Sequence, residues 1–344
     1  MKERIGWYLR HQMGQTYWRY LDLCPSWACN AKCPTCGSWK RPKASLTTEQ
    51  CSVIVYGKAF KHIRRLVIEG GEPTLWPELS HFVMDFIYTH PKAIVGIITN
   101  GIAYKRIKRL ADEMVTRKKN IRWVISLNGV GELHDKSRGV KDAYRCAAIS
   151  AYELSRQYPV NFSFVPFKEN IGDFEKVLQV GVDLNIPVQI CYPSKSAKFG
   201  EGQGWTMLSS VTVNDVARTM TNNFKWFVDR WAWQMFIEKA KRRELMPCWA
   251  GEQLIHINPA GTILPCSMNE KFPIGSLSPM GVNPFEVTEN DYTDTYHYFG
   301  RIPSECQYAS YQVCNSCYIF QSLSCEPLKL LKWRLRRCFE KSKS

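Results

Sequence analysis

Short apolar segments alternate with longer segments of helical periodicity between residues 18 and 195. The apolar segments are rich in β-branched residues and nearly continuous, which is typical of parallel strands covered on both faces. Six strands are predicted, at 20–27, 64–71, 93–101, 121–129, 160–167 and 187–194. Helices are predicted between them, at 47–60, 77–90, 103–116, 141–157 and 172–183. Strands joined by helical crossovers form right-handed βαβ units, so the pattern predicts an α/β fold, either a barrel or an open twisted sheet.

Several of the predicted helices begin with suitable polar residues. Thr47 stands three residues before Gln50, which is the spacing of a capping box. Asp142 and Asp173 place a negative charge in a first helical turn, where the helix dipole favours it.

The pattern changes after residue 200. Residues 201–245 include a Trp-rich helical stretch, and residues 248–266 predict two strands around a Pro-Ala-Gly turn, with a cysteine at each end. The predicted divisions are an N-terminal segment (1–17), an α/β core (18–200), a linking helical segment (201–245), a small Cys-rich C-terminal domain of β-hairpin and helix (246–325) and a basic amphipathic C-terminal helix (326–344).

Composition narrows the cellular setting. The chain has 344 residues, 45% of them hydrophobic, and no apolar run long enough for a transmembrane helix. Its N-terminus alternates charged and aromatic residues and lacks the apolar centre of a signal peptide. A cytoplasmic protein is expected, whose 14 cysteines serve metal or redox chemistry or pack as buried apolar residues.

The net charge of +15 favours anionic partners. Much of the excess lies in the C-terminal helix at 326–344. We expect this helix to dock on the body of the protein with its basic face in solvent. The alternatives are a contact with an anionic membrane surface, which would make the protein peripheral to the membrane, and a contact with nucleic acid.

Three cysteines, Cys29, Cys33 and Cys36, lie within eight residues directly after the first predicted strand. A structural zinc or a closed iron–sulfur cluster takes four protein ligands, so three thiolates leave one metal position open to an external molecule. Soft thiolate ligands favour zinc or iron–sulfur over magnesium or calcium. The sequence therefore predicts a metal centre that can bind a further ligand.

The Cys-x3-Cys-x2-Cys spacing of "CNAKCPTC" resembles the motif of the radical S-adenosylmethionine (SAM) enzymes, and later strand ends extend the resemblance over residues 20–195. "GGEP", Gly70, Gly71, Glu72 and Pro73, is similar to the family's segment for the methionyl amino group of SAM. Two glycines permit close backbone approach to a ligand, and Glu72 offers an anion to an ammonium group.

"TNG", with Thr99 and Asn100, closes the third strand, and "SLNG", with Ser126 and Asn128, closes the fourth. The family usually carries Ser-Leu-Asp-Gly at the fourth strand, near the SAM ribose and carboxylate. Asn128 keeps a hydrogen-bonding oxygen but loses the charge of that Asp.

Two more segments complete the resemblance. "HDKSRG", His134 to Gly139, resembles a family loop whose arginine, here Arg138, pairs with the SAM carboxylate. "CYP", with Cys191 and Tyr192, ends the sixth strand, where the adenine commonly rests. One departure is Thr35, where many members have an aromatic residue; Trp39 is the nearby ring.

The resemblance implies a partial (β/α)6 TIM-like barrel in which Cys29, Cys33 and Cys36 hold a [4Fe-4S] cluster. The amino and carboxylate groups of SAM would then chelate the fourth iron, which accounts for the missing protein ligand. An electron from a donor such as flavodoxin or ferredoxin would cleave SAM to a 5′-deoxyadenosyl radical, which abstracts hydrogen from the substrate. The sequence does not identify catalytic residues that contact the substrate.

The later cysteines resemble those of the family's SPASM or Twitch auxiliary-cluster domain. A full SPASM pattern would add more cysteines at short gaps after the pair Cys314 and Cys317, but seven residues separate Cys317 from Cys325. One Twitch-like auxiliary cluster, a [4Fe-4S] cluster, is therefore expected. A zinc site made by the same thiolates is the alternative. The expected ligands are Cys248, Cys266, Cys314 and Cys317, with Cys325 or Cys306 as a substitute.

An auxiliary cluster near the substrate could accept an electron, so a net oxidation is expected, either a dehydrogenation or a cross-link. Peptide-modifying relatives often carry a peptide-binding domain ahead of the barrel, whereas 28 residues precede Cys29. The expected substrate is therefore a small molecule, a sugar or a lipid-like compound, and a peptide is the alternative.

Two other functions stay open. An RNA-modifying radical SAM enzyme would use the positive charge to hold a polyanion. A non-enzymatic module would bind zinc through its cysteines and nucleic acid through its basic surface. Nucleic acid is not the partner that we expect.

Overall fold

The computed structural model describes residues 18–191, 205–206, 254–267, 273–278 and 280–284. Its described strands form one sheet in the order β10-β9-β8-β7-β1-β2-β3-β4-β5-β6. The strands are β1 (Tyr20–Leu23), β2 (Arg65–Ile68), β3 (Ile94–Thr99), β4 (Ile121–Ser126), β5 (Val160–Phe164), β6 (Val188–Ile190), β7 (Leu254–Ile257), β8 (Thr262–Leu264), β9 (Gly275–Ser278) and β10 (Gly281–Pro284).

Helices follow the strands of the parallel part of the sheet. The α-helices of the described residues are α1 (Thr48–Tyr56), α2 (Leu79–Thr89), α3 (Tyr104–Glu113), α4 (Glu132–Arg138), α5 (Ala143–Ser155) and α6 (Phe174–Asp183). Each predicted strand and helix of the α/β core therefore exists, and each is shorter than its predicted range. Helix α4 was not predicted, because its segment was interpreted as a loop.

Strands β1 to β6 are parallel, and each pairs with the next one along the chain. Alternate residues of each strand, such as Leu21 and Leu23 of β1 or Val95 and Ile97 of β3, belong to the hydrophobic core. Their neighbours point to the opposite face of the sheet, which we call the inner face. This sequential parallel order with crossover helices is consistent with a partial barrel.

The inner face is less buried than the sequence predicted. In β3 buried residues alternate with half-buried ones, so the strand is not equally covered on both faces. The apolar run concealed this alternation, because half-buried positions such as Ile94 and Ile98 are also apolar.

The predicted capping box at α1 is confirmed. The Thr47 side chain accepts a hydrogen bond from the Gln50 N–H at 3.3 Å, and the Gln50 side chain accepts one from the Thr47 N–H at 3.0 Å. Asp142 and Asp173 instead precede α5 and α6 as N-cap residues without a capping hydrogen bond. The Asp173 carboxylate accepts from Val130 N and pairs with Lys176, so it ties the loop after β4 to α6.

The predicted hairpin is confirmed as β7 and β8, which pair antiparallel around the turn at Gly261. The structure adds that β7 pairs in parallel with β1, with Asp22 opposite His256. The hairpin therefore continues the main sheet instead of standing apart from it, a long-range pairing that strand periodicity alone cannot reveal. No helix among the described residues is long and apolar enough to cross a membrane.

Several sequence predictions lie outside the described residues. They are the N-terminal segment, most of the linking segment, the C-terminal helix, Tyr192, Cys248, Cys306, Cys314, Cys317 and Cys325.

Candidate metal centre

The loop that carries Cys29, Cys33 and Cys36 leaves the end of β1, at the edge where the other parallel strands also end. Cys29 interacts electrostatically with Cys33 and Cys36, and Cys33 interacts with Cys36, so the three thiols lie near one another. Burial raises the pKa of the Cys29 thiol to about 12, and nearby Glu72, Cys33 and Cys36 contribute to the rise. Burial also raises the pKa of the Cys33 thiol, and the charge of Arg138 opposes this rise. Without a cation, the Cys29 and Cys33 thiols therefore stay protonated, and metal binding must displace their protons.

Each of the three sulfurs has a hydrogen-bond donor near it. The Ala31 N–H lies 3.4 Å from Cys29 Sγ, and the Ser38 N–H lies 3.4 Å from Cys36 Sγ. Arg138 Nη1 lies 3.7 Å from Cys33 Sγ. Such bonds to sulfur stabilise thiolates and tune the reduction potential of iron–sulfur clusters.

Arg138 is the last residue of α4 and is buried. Among the described residues, its Nε and Nη2 atoms have no hydrogen-bond partner, although both are shielded from solvent. An unpaired buried guanidinium is costly, so this arrangement suits an anionic ligand beside Cys33. The prediction that Arg138 pairs with a carboxylate fits this geometry. Its location on a helix corrects the loop interpretation.

The glycines of "GGEP" hold this segment against the cysteine loop. The Gly71 N–H donates to Ser26 O at 3.0 Å, and the Glu72 N–H donates to Ala28 O at 2.7 Å. A Cβ atom on Gly71 would lie 2.3 Å from Ala28 O, so no side chain fits there. The two glycines thus permit close packing of backbone on backbone. The sequence predicts instead that they permit the close approach of a ligand. Pro73 begins a 3-10 turn next to them.

Glu72 links the ends of β2 and β3. Its buried carboxylate accepts hydrogen bonds from Thr74 N–H and Oγ1 at 3.1 and 2.6 Å, from Thr99 Oγ1 at 2.7 Å and from Asn100 N–H at 2.7 Å. Burial raises its pKa, and these bonds oppose the rise. The structure gives Glu72 a supporting role; its contact with an ammonium group stays a prediction.

The ends of β3 and β4 also support the site through amide side chains. Asn100 Nδ2 donates to Asn30 Oδ1, inside the cysteine loop, at 2.8 Å. Asn128 Oδ1 accepts from the Val165 N–H at 3.0 Å, so this oxygen joins β4 to the end of β5. Ser126, the last residue of β4, is half-buried on the inner face.

His134 is fully buried on α4, one turn before Arg138. Its Nδ1 accepts the Asn128 N–H at 3.0 Å, so Nε2 carries the proton of the neutral ring. Nε2 is buried and has no hydrogen-bond partner among the described residues. Burial, and then the charge of Arg138, lower the pKa of His134 well below its usual value. From the sequence alone His134 is interpreted as a satisfied surface histidine, and its full burial shows that this interpretation is wrong.

The remaining predicted residues lie around the same edge. Cys191 follows β6, and Ser163 Oγ on β5 lies 3.3 Å from its sulfur. Trp39 donates through Nε1 to Cys33 O at 3.2 Å, so it supports the cysteine loop. Cys266 is half-buried just beyond β8.

Two supporting residues were missed by the sequence analysis. Asn30 holds the cysteine loop to β3, and Lys32 N–H donates to Arg138 O at 2.8 Å, which holds the same loop to α4. Asn30 lies inside the cysteine motif, but only its partner, 70 residues away, shows what it does.

The residues present fit the cofactors that the resemblance implies. Three thiols with N–H donors suit a cluster with one iron open to an external ligand. The unpaired nitrogens of Arg138, a charged group beside the thiols, suit the carboxylate of an amino-acid ligand such as SAM.

Comparison with known proteins agrees with this arrangement. The family model of the Radical SAM superfamily matches residues 24–180, which include the three cysteines, "GGEP" and Arg138. Fe-coproporphyrin III synthase from Methanosarcina barkeri is 27% identical over 172 residues, 48% of this chain and 41% of that protein. PqqA peptide cyclase from Bradyrhizobium diazoefficiens is 22% identical over 257 residues, 70% of this chain and 64% of that protein. In both comparisons the chain spans less than two thirds of its relative.

Among solved structures, anSMEcpe with bound AdoMet and Cp18Cys peptide superposes with a TM-score of 0.62 at 15% sequence identity. The match covers 95% of this chain and 99% of that one. At this level of identity the similarity shows the fold.

Proposed function

Residues 24–180 of this chain form a Radical SAM superfamily domain, and from this premise we propose that the protein modifies a peptide by hydrogen abstraction. In this proposal the chain is a radical SAM enzyme that uses a [4Fe-4S] cluster and SAM, which the match of residues 24–180 to the family supports. When bound, the cluster and SAM supply a 5′-deoxyadenosyl radical. The residues of the chain hold these groups, orient the substrate and exclude water from the reacting atoms.

The observation that carries the proposal is the cysteine loop with three external supports. The ends of β2, β3 and α4 each donate or accept a hydrogen bond with this loop, through Glu72, Asn100 and Arg138. These three supports thus hold the part of the loop that carries Cys29 and Cys33. Such preorganisation is what a centre with one open iron position needs.

Two comparisons support a peptide substrate. PqqA peptide cyclase matches 70% of this chain, and the fold of anSMEcpe, solved with a bound peptide, matches 95% of it. The expectation of a small substrate rested on the shortness of the segment before Cys29, and neither match favours that argument. We therefore place the peptide first.

A small-molecule substrate is the second candidate. Fe-coproporphyrin III synthase shares 27% identity over 172 residues of this chain. For a peptide or a small molecule, we propose a net oxidation in which an auxiliary cluster takes up the electron left after hydrogen abstraction. Cys266 is the described member of the proposed ligand set, which also includes Cys248, Cys314 and Cys317.

The experiment measures 5′-deoxyadenosine formed by the anaerobically loaded, reduced protein with SAM. Candidate peptides and tetrapyrroles are added separately, and we expect a peptide to raise the rate of 5′-deoxyadenosine formation. The mass of that peptide should decrease by the mass of the hydrogen removed. Cys33→Ala should abolish 5′-deoxyadenosine, whereas Cys146→Ala, on the partly exposed helix α5, should leave it unchanged. Turnover stimulated by a tetrapyrrole and by no peptide would support the second candidate and refute the first.

A further inference from the structure

Three metal-ligating side chains meet on neighbouring strands, and none of them belongs to the cysteine loop. Asp22 on β1 is the register partner of His256 on β7. Glu69 directly follows β2, and its N–H donates to Leu23 O at 2.8 Å. Parallel pairing of β7, β1 and β2 therefore brings the three residues to one level of the sheet.

All three residues belong to the inner face. Their strand neighbours Leu23, Ile68 and Ile257 are members of the hydrophobic core. Because side chains alternate along a strand, Asp22, Glu69 and His256 point to the other side. Asp22 and His256 are buried there, and Glu69 is half-buried.

The distances suit ligands of a single ion. His256 Nδ1 and Asp22 Oδ2 are 3.0 Å apart. One donor atom from each of the three residues lies within 4.8 Å of the other two, and no other set of three His, Cys, Asp or Glu side chains in the described ranges meets this condition. Two ligands about 2.1 Å from an ion and at right angles to each other are about 3.0 Å apart.

We propose that Asp22, Glu69 and His256 form a binding site for one divalent first-row metal ion. Two carboxylates and one imidazole suit Mn²⁺, Fe²⁺ or Zn²⁺, and the two carboxylates match the charge of the ion. The thiolates of the cysteine loop are softer ligands, so Mn²⁺ should prefer the carboxylate and imidazole ligands to the cysteine loop.

The proposal goes beyond the radical reaction and does not depend on it. Three protein ligands leave positions for water or for an oxygen of a bound molecule. The ion would then act as a Lewis acid on the inner face, where it can bind the oxygen of a carbonyl or carboxylate.

The test is a titration of the cluster-loaded, anaerobic protein with Mn²⁺, after washing with a chelator. The electron paramagnetic resonance (EPR) signal of free Mn²⁺ reports binding, and a saturable site with one Mn²⁺ per chain is expected. Asp22→Asn, Glu69→Gln and His256→Gln should each weaken this binding about tenfold or more. The control is Asp85→Asn, an exposed carboxylate on α2 that should leave the affinity unchanged.

Two results would overturn the proposal. One is the absence of saturable Mn²⁺ binding by the wild-type protein. The other is a Mn²⁺ affinity that Glu69→Gln leaves unchanged. This variant is chosen because the half-buried residue can be replaced while the Asp22–His256 pair stays intact. Cluster absorbance and the thermal unfolding midpoint of each variant identify folding defects, and if the buried variants fail to fold, the result for Glu69→Gln decides.

Discussion

Arg138 combines a contact with a cysteine sulfur and two unpaired donors in one side chain. Nη1 approaches the Cys33 sulfur at 3.7 Å, and Nε and Nη2 are buried without a partner among the described residues. The guanidinium therefore stands beside the cluster ligands with donors left for an anion. A planar guanidinium with several fixed donors can contact the Cys33 sulfur and bind an anion at the same time. A lysine cannot do so with the same geometry.

Arg138→Gln should weaken SAM binding about tenfold or more, equivalent to about 1.4 kcal/mol, because the charge for the carboxylate is lost. Isothermal titration of the cluster-loaded protein measures this affinity. The matched control is Arg145→Gln, an exposed arginine on α5. An unchanged SAM affinity in Arg138→Gln would refute the assignment.

At the scale of elements, the packing of "GGEP" on the cysteine loop decides whether the site forms. Gly71→Ala would place a Cβ 2.3 Å from Ala28 O and 2.5 Å from Trp27 O. We expect a loss of about 1–3 kcal/mol in the free energy of unfolding, together with reduced iron content.

Denaturation and iron analysis measure these effects. Gly172→Ala is the control, since a Cβ at Gly172 meets nothing within 4 Å. If Gly71→Ala binds iron and unfolds as the wild type does, the close packing is not required for the site.

Periodicity predicted the strands and main helices because each carries its own hydrophobic pattern. The predicted strands ran past the ends of β2 and β4, because they included the turn motifs that follow, up to Gly71 and Gly129. Helix α4 has seven residues, too few for a clear period. The pairing of β7 with β1 joins Asp22 to His256, 234 residues apart, and no local pattern reports such a contact.

The cysteine loop could be predicted from spacing alone, since metal ligation fixes the distances between ligands along the chain. The residues that support it could not. Glu72 reads as a ligand-binding anion in the sequence, yet its carboxylate is engaged by Thr74, Thr99 and Asn100. Such a network depends on which strand ends are neighbours in the sheet.

For the whole molecule, the buried neutral ring of His134 predicts sensitivity to acid. Its folded pKa is lowered, so below about pH 6.5 the unfolded chain binds a proton that the folded chain does not. Stability should therefore fall as the pH falls through this window, by up to about 1.4 kcal/mol per pH unit. Glu72, whose folded pKa is raised, acts in the opposite direction at lower pH.

Anaerobic thermal unfolding at pH 7.5 and 5.5 tests this effect. His134→Gln should lose less stability between the two pH values than the wild type does. His81→Gln, an exposed residue on α2, should behave as the wild type. Equal pH dependence in His134→Gln and the wild type would contradict the prediction.

The number of clusters is a property of the whole chain. If the auxiliary cluster forms, the protein should hold roughly eight iron and eight sulfide per chain. Cys266→Ala should lower this to about four while the protein still cleaves SAM slowly. Cys51→Ala, a cysteine on α1, should keep the full iron content. Stoichiometric zinc in place of half the iron would contradict an auxiliary iron–sulfur cluster.

The most direct test of the account is the EPR spectrum of the reduced, cluster-loaded protein before and after addition of SAM. An iron held by no protein ligand should bind the amino and carboxylate groups of SAM, so the g-values of the cluster should shift, and Cys33→Ala should show no such signal. A spectrum of the wild-type cluster that SAM leaves unchanged would contradict the account.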